Sequence, residues 1–85
     1  MKVRWHFPLI NPIQKYSLEH YLEHISEEVQ EFKEETDEDK KRKEAMDILH
    51  AAETFARKFF TDEKQFQKVR NQVISKNRVR GYYTK

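Results

Sequence analysis

SEEVQEFKEETDEDKKRKEAMDILHAAETF, residues 26–55, decides how the rest of this 85-residue chain is read. It reads as two helices joined by a tight acidic turn. The first carries Glu27, Glu28, Glu31, Glu34 and Glu35, and the second opens with Glu44 and Asp47. Residues three or four apart on a helix share a face. Glu28 and Glu31 therefore point one way from the first helix, as Glu44 and Asp47 do from the second. So short a turn implies antiparallel helices, which would bring the four carboxylates together. Such a cluster repels itself unless protons or cations neutralise it.

Working outward, Leu18, Tyr21, Leu22, Ile25, Val29 and Phe32 recur at helical spacing, which predicts an amphipathic helix from an N-cap at Ser17 to about Glu35. Thr36 is the expected cap of the second helix, with Asp37, Glu38 and Asp39 in its first turn, where carboxylates suit the helix dipole. Ala45, Ile48, Leu49, Ala52, Phe55, Ala56 and Phe59 are its expected buried side, with Glu44, Asp47 and Ala51 along the flank. A third helix should begin after a cap at Thr61 and bury Phe66, Val69, Val73 and Ile74. Gly81, the single glycine, should end it in left-handed geometry. Residues 1–16 read as an extended arm, since Pro8 and Pro12 push their predecessors away from helical angles, and Trp5 is expected to pack. The organisation is an arm, 1–16, and one helical domain, 17–85. The fold class is all-α.

A chain this short has little core of its own. The amphipathic helices therefore predict a homodimer or larger oligomer whose interface completes a four-helix bundle. With no cysteine there is no disulfide or thiolate metal site. No apolar run is long enough for a spanning helix, and MKVRWHFPLINP does not resemble a signal peptide. The expected location is cytoplasmic, without membrane association. The formal charge of +2 hides an asymmetry: from Ser17 to Glu35 there are seven acidic side chains, and from Lys64 to Lys85 seven basic ones and no acid.

An acidic helix face is ordinarily just solvated surface. Here Glu28, Glu44 and Asp47 border the apolar stripes, and carboxylates at a core edge need partners. Mg²⁺ suits them, because it takes six oxygens, keeps several waters and shares the rest with a polyphosphate. Glu31 would position a water or take its proton, with Glu28 as the second catalytic carboxylate. Lys76 and Arg80, four apart and so on one face, would meet phosphate oxygens farther from the metal. His24, one turn before Glu28, and Glu27 are candidates for a place behind the ligands.

The pattern Glu28-x-x-Glu31, a twelve-residue gap, then Glu44-x-x-Asp47 resembles the MazG-like all-alpha nucleotide pyrophosphohydrolases. Ala45, Met46, Ile48 and Leu49 around it, and the tail from Lys76 to Tyr82, are similar to small phage-type members. The resemblance implies that Glu28, Glu31, Glu44 and Asp47 ligate Mg²⁺ or Mn²⁺. It implies cleavage of a nucleoside triphosphate between the α and β phosphates, giving a monophosphate and pyrophosphate. House-cleaning of aberrant nucleotides is a common role in that family. It also implies a homodimer or homotetramer whose site is built by two subunits, with Lys76, Asn77 and Arg80 touching phosphate or nucleotide.

Two other readings compete. The basic tail with Tyr82 and Tyr83 could serve a small nucleic-acid-binding or interaction protein, against which stand the acidic first helix and the lack of a helix-turn-helix or zinc pattern. Asp47-x-x-His50 fits a di-iron or di-manganese carboxylate bundle, but such a site needs a second acid-x-x-His step. His50 is better read as a core-edge histidine.

Overall fold

The computed structural model describes residues 1–10 and 16–83. All regular structure among them is helical: α1 spans Leu18–Glu34, α2 Glu38–Ala56 and α3 Glu63–Val79. None of these helices is long and apolar enough to cross a membrane. The chain divides into two compact units. One is Trp5–Phe59, and the other joins Met1–Arg4 to the chain from Phe60 onward.

In the first unit α1 and α2 pack as a hairpin across a three-residue link. Ser17 caps α1 by accepting from the His20 amide at 3.1 Å. The cap of α2 is Asp37, not Thr36: its carboxylate accepts from the Lys40 amide at 3.0 Å. Glu35 explains the shift. Its Oε1 accepts from the amides of both Thr36 and Asp37 at 3.1 Å, which keeps those residues outside the helix and leaves the cap to Asp37.

Packing within the hairpin departs from the expected stripe. Tyr21 is 2% exposed, and Ala51 and Thr54 are buried opposite it on α2. The most buried residues of α2 are thus Ala51, expected on the flank, and Thr54, with Ile48 of the expected buried side half-buried on the same line. Ala45, Leu49, Ala52 and Phe59 stay exposed, as do Leu18, Leu22 and Phe32 of α1. α2 has apolar residues on two neighbouring lines, and one partner helix can cover only one. The line with small side chains faces α1, where Lys58 also lies 5.0 Å from the centre of the Tyr21 ring.

Residues 5–7 are held on the end of this hairpin. The Phe7 amide donates to Glu53 at 2.8 Å, and Arg57 donates to the Phe7 carbonyl. Arg57 also stands over the Trp5 ring at 5.2 Å, and Phe7 stacks on His50 with centroids 4.7 Å apart. Trp5 therefore packs as expected.

In the second unit α3 is capped by Asp62, one residue beyond the expected Thr61, through the Gln65 amide at 3.2 Å. The Glu63 amide donates to the Met1 carbonyl at 2.8 Å, Val3 is buried, and Phe60 meets Phe66 edge-on. At the far end Gly81 has φ +75°, the Tyr82 amide bonds the Asn77 carbonyl and the Gly81 amide bonds that of Arg78. This is the Schellman arrangement, and it confirms the role read for Gly81.

The revised cap is testable by urea denaturation. Asp37→Ala should lower stability by about 1 kcal/mol, and Thr36→Ala by less than about 0.5 kcal/mol. Equal losses would mean that the link does not hold the helix start in this way.

Candidate metal centre

Two helical positions one turn apart on α1 and one near the start of α2 create the candidate site. Glu28, Glu31 and Glu44 each offer a carboxylate oxygen, and all three oxygens lie within 4.8 Å of one another. Oxygens on one Mg²⁺, at about 2.1 Å from it, stand about 3 Å apart when adjacent and about 4.2 Å apart when opposite. The three are therefore nearly at ligating separation, and a small rotamer change would bring them onto one ion.

Burial separates this cluster from a solvated acidic surface. Glu28 Oε2 and Glu44 Oε2 are both inaccessible and have no hydrogen-bond partner among the described residues. A buried carboxylate oxygen without a donor is costly. The titration behaviour follows. The Glu28 carboxyl is pushed above its ordinary range first by burial, then by the negative charges of Glu31 and Asp47, with His24 pulling the other way. Glu44 is pushed up by burial first, then by Glu31, Asp47 and Glu35. Hard, crowded, under-partnered oxygens fit a divalent cation such as Mg²⁺ or Mn²⁺, and among the described residues no lysine pairs with them.

The other expected site residues fall into three places. Asp47 is exposed and stands outside the close trio, yet its charge acts on both Glu28 and Glu44. His24 lies behind the cluster, with Nε2 3.7 Å from Glu28 Oε1 and Nδ1 4.0 Å from Glu27 Oε2. Glu27 faces solvent. Lys76, Asn77 and Arg80 belong to the second unit, at the C-terminal end of α3, where Lys76 and Arg80 are exposed and Asn77 is half-buried.

Sequence reasoning passed over two groups. Glu35 was grouped with the crowded acids, whereas its carboxylate organises the link. Glu53 and Arg57, four apart and so on one face, were assigned no role, although they grip the Phe7 backbone. An acid–base pair at that spacing beside an aromatic arm was the available signal. No family model, curated protein or solved structure matches the chain.

The raised carboxyls set the sign of a pH effect. Folding favours the protonated form of Glu28 and Glu44, so their contribution is fully present below the ordinary value of 4.5 and is lost as pH rises through the raised values. In chelator, Glu44→Gln should therefore melt higher than the parent protein near neutral pH and about equally below pH 4.5. Added Mg²⁺ should narrow the neutral-pH difference. A gain of the same size at every pH would show that Glu44 is not strained by its charge.

Proposed function

We propose that this protein is a divalent-metal-dependent nucleoside triphosphate pyrophosphohydrolase of MazG-like type, acting as a homodimer or homotetramer. The observation that carries this reading is the trio Glu28, Glu31 and Glu44, with two buried carboxylate oxygens that lack a donor among the described residues. The Glu-x-x-Glu and Glu-x-x-Asp spacing adds the reaction class through the resemblance given above.

Glu28, Glu31 and Glu44 would hold the cation, with Asp47 completing the negative field. When bound, Mg²⁺ or Mn²⁺ supplies charge neutralisation of the polyphosphate and a more acidic water. Glu31 is exposed, unlike the buried oxygens of its neighbours, so it can hold a water by accepting its hydrogen bond and take its proton as that water attacks phosphorus. His24 steadies Glu28 from behind. The same resemblance adds Lys76, Asn77 and Arg80 as proposed contacts to phosphate or nucleotide.

The oligomer has its own support. Leu22 is 52% and Leu49 57% exposed, and Leu18, Phe32, Met46 and Phe59 add to the uncovered apolar surface of the hairpin. A second hairpin laid on that surface would complete a four-helix bundle.

Pyrophosphate release from a panel of unmodified and modified nucleoside triphosphates, with Mg²⁺, with Mn²⁺ and with chelator, tests the activity. Metal-dependent release with the matching monophosphate is expected. Glu31→Gln should lower turnover by about 100-fold or more with helicity unchanged by circular dichroism. Glu28→Gln and Asp47→Asn should do likewise, and full activity in all three would remove the site. Sedimentation should show more than the 10.5 kDa monomer, and Leu49→Glu should disperse it. A monomeric parent chain would remove the bundle.

A further inference from the structure

α3 has a face that the pyrophosphohydrolase reading leaves unused. A groove of about 620 Å³ runs along it, lined by Phe60, Val69, Val73, Ile74 and Tyr83 and bordered by Arg70 and Arg78. Arg70, Ile74 and Arg78 follow one another at four-residue spacing, so the arginines lie on one line along the apolar floor. Past Glu63 the described part of α3 has no acidic side chain. Among the described residues no carboxylate pairs with Arg70, Lys76, Arg78 or Arg80. Tyr82 and Tyr83 are 67% and 47% exposed at the end of the groove.

We propose that this face of α3 binds single-stranded nucleic acid, with phosphates on the arginines and unpaired bases over Tyr83 and the apolar floor. Two properties select that occupant. The charged residues lining the groove are both arginines and no carboxylate lines it, as a phosphate backbone requires. Tyrosine faces at the groove end accept any base by stacking, which tolerates all sequences.

The test is fluorescence polarisation of the full chain with labelled oligothymidylate and oligouridylate of about 16 nucleotides, the upper end of the site size of one single-strand-binding fold. Chelator is present throughout, so the outcome is independent of nucleotide hydrolysis. The expected Kd at about 50 mM salt is in the micromolar range, weakening as salt rises. Each neutralised phosphate contributes about −0.7 to the log–log salt slope, so the double variant Arg70→Ser/Arg78→Ser should lose about 1.4 of it. Tyr83→Ser should weaken binding about five-fold or more with the slope unchanged. Both variants should keep the parent's helicity and its pyrophosphate release. Absence of binding, or binding that neither variant alters, overturns the proposal. So does retention on anionic vesicles without oligonucleotide binding, which would assign the face to lipid. Self-association lost in Val73→Glu, again without oligonucleotide binding, would assign it to a second copy.

Discussion

Like charge forced together at a helix–helix seam is the constraint that the hairpin is built around. Glu28 and Glu44 are carried inward by the same packing that buries Tyr21 and Ala51, so the protein cannot form its small core without also burying carboxylate oxygens. Nearby cations are spent elsewhere: Lys41 and Arg42 lie beside Glu38 and Asp39, and Lys58 covers Tyr21. Burial and mutual repulsion then act in one direction, raising both carboxyls. A divalent cation relieves both at once. Because such an ion would bind the folded chain in preference to the unfolded one, its affinity would add to folding stability by mass action.

Much of this was legible in the sequence, and the reasons are local. Three- and four-residue spacing of apolar residues gave α1 and α3, and Gly81 ended α3 through a conformation that only glycine adopts cheaply. The convergence of Glu28 and Glu31 with Glu44 followed from helix period and a short link, which fix registry with little freedom. What was not legible depends on competition between equivalent choices. Thr36 and Asp37 are both good caps, and only the Glu35 carboxylate, which occupies two amides of the link, decides between them. The two apolar lines of α2 differ by a single position, and pattern alone cannot say which one the partner helix covers. Asp47 shows the same limit: one turn beyond Glu44, it reaches the cluster through its field and stands outside the close trio.

The arm illustrates a different kind of stabilisation. A short extended segment has no ladder or helix to satisfy its backbone, so side chains must do it. Glu53 and Arg57 accept from and donate to the two polar groups of Phe7, while Trp5 and Phe7 cover apolar stems and the His50 ring. Charged groups are more effective at this than neutral ones, because hydrogen bonds to ions are the stronger kind. The arrangement also uses up one acid and one base that would otherwise enter the charge balance of the hairpin.

The separation of charge along the chain has a physical logic that bears on both binding proposals. An acidic hairpin that recruits a metal cannot tolerate cations among its ligands, since an ammonium would neutralise the carboxylates in the metal's place. Seven of the seventeen lysines and arginines lie from Lys64 onward, where the sequence carries no acid to compete for them. There they remain available to an anion, whether the phosphates of one nucleotide or those of a strand. What separates these two uses is the length of the apolar floor beside Arg70 and Arg78, since one nucleotide brings a single base to it and a strand brings several. A ligand with many phosphates and exposed base faces satisfies both parts of that surface, which is why α3 points to a polymer.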